Sequence, residues 1–234
     1  MRSKNLAGRV TNHIFTYVRE KQLKSGDKLP SEVRISADLK ISRGIVREAF
    51  RSLSSAGIIE VGAGKSPKVG ALNSALLTHL MLHALSTRQV SPEQVLDLRS
   101  SIEVHAAELA AQRRSDPDIG QLRAAVSGMK AALRNPDKFV LHDMRFHQII
   151  SGATGNPLFQ IIGDAMRECM EKSIRAGLES RTARTQLVQI VETHATIVDA
   201  IEAGRATRAG QLMRLHFDEA KNALREYFLR TAVA

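Results

Sequence analysis

The sequence predicts a mainly α protein in two parts: a small N-terminal unit of three helices and a hairpin, then an all-α antiparallel helical bundle. Three observations carry this. Apolar residues recur at helical spacing almost throughout, a glycine-rich hairpin signal occurs once near residue 60, and four later helix starts are each marked by a capping residue followed by Pro. The boundaries expected are 1–70 and 71–234.

Residues 5–24 read as the first helix, with Leu6, Val10, Ile14 and Val18 at four-residue steps and Ser25-Gly26-Asp27 ending it. Pro30-Ser31 opens a short second helix that carries Ile35 and Leu39, with Ser31 as N-cap. Ser42 is expected to cap a third helix, which runs to about Ser55 and is stopped by Gly57. Ile58 to Val61, the glycine-rich Gly62-Ala63-Gly64-Lys65 and Pro67-Lys68-Val69 read as a hairpin. Helix, helix, helix, hairpin within about 70 residues is the order of a winged helix-turn-helix.

Beyond Gly70 only helices are predicted. Ser91-Pro92, Asp116-Pro117, Asn135-Pro136 and Asn156-Pro157 each pair an N-cap with Pro at the first helical position. Starts so closely spaced imply antiparallel neighbours joined by short loops. Gly204 separates the last two helices, about 184–203 and 205–230.

Composition narrows the function. With 43% hydrophobic residues the chain builds a real core. Residues 1–70 hold 14 basic against 6 acidic residues, while the remaining 20 basic and 18 acidic residues nearly cancel, so most of the +10 net charge sits in the first third. That asymmetry points to a polyanion partner for the N-terminal unit. The lone cysteine, Cys169, excludes an intramolecular disulfide and reads as an apolar filler. No apolar run approaches 18 residues and no secretory leader is apparent, so a soluble, cytoplasmic protein without membrane contact is expected.

In the third helix, Val46, Ala49, Phe50 and Leu53 form a core-facing stripe. Arg43, Arg47 and Arg51 recur every four residues on a separate face, roughly 100° away. A guanidinium takes guanine O6 and N7, or a phosphate, through paired hydrogen bonds; the alternative is a face kept for solubility.

A second constellation is polar residues on apolar faces. Asp143 and His147 lie one turn apart on an arc with Val140 and Ile150; His194 sits amid Leu187, Ile190, Val191, Val198 and Ile201; His216 shares a face with Leu212 and Ala223. His194 is 10 residues before Gly204 and His216 is 12 after it, about 15 and 18 Å from the turn at ~1.5 Å per residue, which sets them nearly level in a helical hairpin. One carboxylate and three imidazoles suit Zn²⁺, Ni²⁺, Mn²⁺ or Fe²⁺, with zinc the first choice; the alternative is hydrogen-bonded core histidines. Arg99 also lies on an apolar stripe, with Val95, Leu98, Ile102 and Ala106. A guanidinium there needs an anion, either Glu103 one turn on or the carboxylate of a bound effector.

Two resemblances sharpen these readings. Leu29-Pro30-Ser31-Glu32, Ser42-Arg43-Gly44-Ile45-Val46-Arg47-Glu48-Ala49, Leu53 and Gly57-Ile58-Ile59 resemble the DNA-binding domain of the GntR family of bacterial regulators over about residues 10–69. The resemblance implies that Arg43 and Arg47 are main contacts to an operator duplex. Ser42 and Arg51 lie beside them, and Gly64-Lys65 forms a wing that enters the minor groove. Many members carry Arg directly after the Leu-Pro-Ser-Glu glutamate; Val33 stands there, and Arg34 follows. In the wing, Pro67 replaces a smaller or β-branched residue.

Residues 76–222 resemble the FCD effector domain of the FadR-type branch of that family. Its metal-binding members carry Asp-x-x-x-His, His and His on three helices, which match Asp143, His147, His194 and His216; Phe146 and Gly155-Asn156-Pro157 also fit. In similar domains an arginine at the place of Arg99 helps hold carboxylate ligands, which implies a small organic or sugar acid as effector. Asn156 is an effector candidate beside its ordinary role as a helix cap. Together these imply a homodimeric transcription regulator, a repressor in the leading reading. One alternative is a regulator that senses the metal itself. Another is a metal-dependent hydrolase, which an absent general base disfavours.

Overall fold

The computed structural model describes residues 2–62, 64–179 and 184–232. The chain divides into two compact units, Met1–Leu76 and Leu77–Ala234.

In the first unit α1 (Arg2–Glu20) buries Val10 and Ile14 against α3 (Arg43–Ser55). α1 stops four residues earlier than its periodicity suggests. Gln22 takes φ 50°, the Leu23 N–H donates to Val18 O at 2.9 Å and the Gln22 N–H to Arg19 O at 3.2 Å, a Schellman stop before Ser25 is reached. α2 (Glu32–Leu39) starts as expected, with Ser31 Oγ accepting the Arg34 N–H at 3.3 Å. Ser42 holds the N-cap position of α3, but its hydroxyl makes no capping bond, against expectation. The stripe Val46, Ala49, Phe50 and Leu53 is buried. Gly57 turns the chain at φ 71°, a conformation that favours glycine, into β1 (Ile59–Glu60), which pairs antiparallel with β2 (Lys68–Val69) through Ile59↔Val69 and Glu60↔Lys68. Pro67 is buried and its carbonyl accepts the Leu29 N–H at 2.8 Å, so the wing's base is tied to the turn before α2. Ala63 of the tip lies outside the described residues.

The second unit is helical throughout its described residues: α4 (Ala75–Ser86, beginning at the unit boundary), α5 (Pro92–Arg113), α6 (Asp116–Ala131), α7 (Pro136–Ala153), α8 (Pro157–Glu179), α9 (Arg184–Glu202) and α10 (Ala206–Ala232). Ser91 and Asn135 cap α5 and α7 as the sequence indicates. The cap of α6 is Ser115 rather than Asp116: Ser115 Oγ accepts the Asp118 N–H, and the Asp118 carboxylate accepts the Ser115 N–H at 2.8 Å. This reciprocal box satisfies two backbone donors and moves Pro117 to the second helical position. α5 packs on α7, α8, α9 and α10, and its Ala106, Ala107, Ala110 and Ala111 are buried. Small side chains there let neighbouring helices approach closely. Leu122, Met129, Phe146, Ile150, Met166, Ile197, Met213 and Phe217 complete the core. Among the described residues, no helix is long and apolar enough to cross a membrane.

Candidate functional site

Asp143 and His147 face inward from α7, His194 from α9 and His216 from α10. His147 and His194 are fully buried and Asp143 nearly so; His216 is half-buried. One ring nitrogen from each histidine lies within 4.8 Å of the others. Asp143 Oδ1 is 3.1 Å from His194 Nε2 and 4.0 Å from His147 Nε2. Phe146 and Phe217 wall the cluster, each edge-on or tilted against two of the imidazoles.

The hydrogen bonding selects a donor set. His194 Nδ1 is 2.7 Å from the Ile190 carbonyl, an acceptor, so Nδ1 carries a proton; in the neutral ring Nε2 then presents a lone pair to the Asp143 carboxylate, and in the protonated ring it donates to it. Two lone pairs face to face in a buried site repel unless a cation lies between them. His147 repeats the pattern: Glu103 Oε2 contacts its Nδ1, and its Nε2 has no hydrogen-bond partner. Carboxylate or carbonyl behind Nδ1 with Nε2 free is how metal-bound imidazoles are oriented. The residues therefore fit a divalent ion.

The electrostatics agree. Burial drags His147 below the ordinary imidazole value, and His216 well below it, with His194 and His147 adding to the effect at His216. Burial alone would raise Asp143, but the hydrogen bond from His194 and the charges of His147, His194 and His216, all present when those rings are protonated, hold it below the usual carboxylate range. Glu103 is likewise opposed by burial and held well below that range by Arg99, His147 and Arg167. Neutral imidazoles and ionised carboxylates are the forms a metal takes.

Both readings of Arg99 are present at once. Its Nε donates to Glu103 Oε1 at 2.6 Å and its guanidinium lies 5.2 Å above the Phe217 ring, yet Nη2 has no partner. Asn156 is exposed; its side-chain oxygen accepts the Leu158 N–H at 3.1 Å and so caps α8. Sequence reasoning missed Arg167 on α8. It is fully buried, with Nη2 donating to Asp164 Oδ1 at 2.6 Å and Nη1 to Glu103 Oε1 at 3.4 Å. Its guanidinium lies against Gly163, where a Cβ would fall 2.9 Å from both terminal nitrogens. The signal available was Gly163 one turn before an arginine flanked by Met166 and Met170.

In the first unit, Arg43, Arg47 and Arg51 are all exposed along α3, away from its buried stripe. Arg47 Nε stands 3.8 Å from Glu32 Oε2, and exposed Arg34 stands 3.7 Å from Asp38. Ser42, Gly64 and Lys65 are exposed, and Gly64 takes φ 69°.

Comparison with known proteins follows this division. Residues 6–69 match the profile of bacterial regulatory proteins of the gntR family, and residues 94–219 match that of the FCD domain. The HTH-type transcriptional regulator LutR of Bacillus subtilis is 25% identical over 215 residues, covering 90% of this chain and 97% of its own length. The Glc operon transcriptional activator of Escherichia coli K12 is 30% identical over 198 residues, 82% of this chain and 78% of that protein. Among solved structures, a Streptococcus agalactiae GntR protein shares the fold with a TM-score of 0.66 at 24% identity, covering 92% of this chain and 99% of that one. The chain thus belongs to the gntR family of bacterial regulatory proteins, as a DNA-binding transcription regulator with an FCD domain, and is not an enzyme.

Proposed function

We propose that the chain works as a homodimeric repressor whose helical unit holds a divalent ion and a small organic or sugar acid. Two copies would read a two-fold symmetric operator through Arg43, Arg47 and Arg51, with Ser42, Arg34 and the Gly64-Lys65 wing alongside. A dimer seated on an operator blocks it to other proteins, so we read the sign as repression.

Asp143, His147, His194 and His216 would hold the ion, with zinc the first choice. A bound divalent ion supplies a positive centre that accepts a ligand oxygen. Glu103 would orient His147 through its contact with Nδ1, and the unpaired Nη2 of Arg99 would take a carboxylate. The observation that carries the reading is the pair of buried Nε2 atoms, on neutral His147 and His194, that have no hydrogen-bond partner and face the Asp143 carboxylate in a cluster that includes His216. Glu103 is not a free base for hydrolysis, because Arg99, Arg167 and His147 occupy it. For regulation, the effector must bind the operator-competent and operator-released states unequally.

The test is metal analysis of tag-free protein purified without chelators, followed by operator titrations with metal and acid varied separately. Stoichiometric metal and acid-dependent operator release support the reading. Operator affinity that follows metal alone would make the ion itself the signal, and absence of metal would defeat the site.

A further inference from the structure

We propose that Gly44 is a specificity-determining residue for DNA. Its missing side chain lets the first turn of α3 rest directly on base edges of the operator, so that a base fills the space a Cβ would take. The inference rests on the reading above in which α3 enters the groove, and deepens it.

The fold gives position 44 no reason to be glycine. Gly44 is the second residue of α3 and is exposed. A Cβ there would meet nothing within 4 Å. Its φ is not positive either, unlike that of Gly57 at 71° or Gly64 at 69°. Gly70 is required for another reason, since a Cβ there would fall 2.2 Å from the Gly57 carbonyl. At position 44 alanine would suit the helix better, because glycine loses more backbone entropy on folding.

Position on the helix explains what packing does not. At about 100° per residue, Gly44 lies roughly 190° round α3 from the middle of the buried stripe Val46, Ala49, Phe50 and Leu53, which makes it the leading edge of the helix. Arg47, Glu48 and Arg51 lie within about 60° of that line, and all three are exposed. A helix with its side chains is about 10–12 Å across, and the major groove is about 12 Å wide. On the leading edge, therefore, any side chain holds the backbone away from the bases. A bare Cα at position 44 removes that spacer, and the neighbouring guanidinium groups then start from a backbone seated deeper in the groove. Close approach of backbone to a ligand is a general use of glycine. Gly8 on α1 is the internal contrast: it too is helical and exposed, with nothing within 4 Å of a Cβ, but it is not on the arginine-bearing helix.

The experiment first enriches a duplex from a randomised library with the wild-type full chain. Gly44→Ala, Gly44→Leu, Gly8→Ala and Arg43→Ala are then titrated against that duplex and against a scrambled one of the same composition, and each protein is unfolded in urea. Alanine and leucine are strong helix formers, so both Gly44 variants should unfold at the wild-type urea concentration or above it. Their affinity for the enriched duplex should nonetheless fall by about tenfold or more, further for leucine than for alanine. Affinity for the scrambled duplex, set by phosphate contacts, should stay within about twofold of wild type. Gly8→Ala should keep both affinities. Should the leucine variant not fold, the alanine variant carries the test alone. Wild-type affinity for the enriched duplex in the Gly44 variants, with Arg43→Ala weakened, overturns the assignment and leaves α3 in the groove. An equal loss in Gly8→Ala also overturns it, because chain flexibility and not contact would then be at work. If Arg43→Ala binds like wild type as well, or if wild type enriches no sequence, the operator reading fails and this inference fails with it.

Discussion

Glu103 on α5 stands behind His147 on α7, one carboxylate oxygen against the imidazole Nδ1 and the other accepting from Arg99 at 2.6 Å. A single side chain thereby orients a candidate metal ligand and holds two guanidinium groups, since Arg167 reaches the same oxygen as Arg99. Were a metal and an effector to bind as proposed, they would be coupled through it: whatever shifts Arg99 bears on the ring of His147.

Glu103→Gln should therefore damage both functions. An amide keeps the shape but removes the charge between two buried guanidinium groups, which costs about 3–5 kcal/mol when one partner of a buried pair is lost. Metal affinity should fall by about 10–100-fold through loss of ligand orientation. Competition against a chelating dye measures the second effect and urea unfolding the first. Unchanged metal affinity would show that His147 does not need its carboxylate.

Metal removal should lower the melting temperature. An ion that binds only the folded chain stabilises it by about 4 kcal/mol when free ion exceeds the dissociation constant by about a thousandfold. For a helical unit of this size that is a shift on the order of ten degrees. Differential scanning with and without chelator should show it in wild type and lose it in His194→Ala, whose Nε2 faces Asp143 at 3.1 Å. A melting curve indifferent to chelator and added zinc would refute the metal centre.

Much of the fold was legible because helix starts are local chemistry. Ser91 and Asn135 announce their helices within four residues. The error at α6 shows the limit: Ser115 and Asp116 both cap well, and the choice is made by Asp118, whose carboxylate returns the bond. The candidate ligand cluster was legible because Asp143 and His147 break apolar stripes at helical spacing, and Gly204 fixes where His194 and His216 meet. Arg167 was not, since an Asp and an Arg three residues apart on a helix, as Asp164 and Arg167 are, have the spacing of an ordinary solvent-side pair. The packing of α8 against α7, α5 and α10 carries Arg167 out of water and onto Glu103 of α5.

Acid should destabilise the metal-free helical unit. His147 and His216 have folded values pulled below about 6.5, the ordinary imidazole value, so the unfolded chain takes up protons first. Stability is intact above about 6.5 and declines as pH falls below it, by up to about 1.4 kcal/mol per pH unit for each such group. Asp143 and Glu103, held below the ordinary carboxylate range, add stability that is present above about pH 4 and lost as pH falls through their folded values. Urea midpoints should drop between pH 7.5 and 5.5 in the chelated protein, and drop less in His147→Gln. Flat midpoints over that range would mean the imidazoles are open to water.

On DNA, the three arginines of α3 should divide their labour by position. Arg43 lies in the first turn, where a recognition helix reaches base edges, and the buried stripe roughly 100° round α3 fixes its outward direction. Arg43→Ala should cost about 1–3 kcal/mol of operator affinity and relax base preference there. Arg51, two turns on, is expected to meet phosphate: Arg51→Ala should weaken all duplexes alike and reduce the slope of log affinity against log salt by about 0.9. Arg47 pairs loosely with Glu32 at 3.8 Å, so Glu32→Gln should alter operator affinity less than Arg47→Ala does. Anisotropy titrations at several salt concentrations separate the cases. Equal salt slopes and equal selectivity in all the variants would take α3 out of the groove.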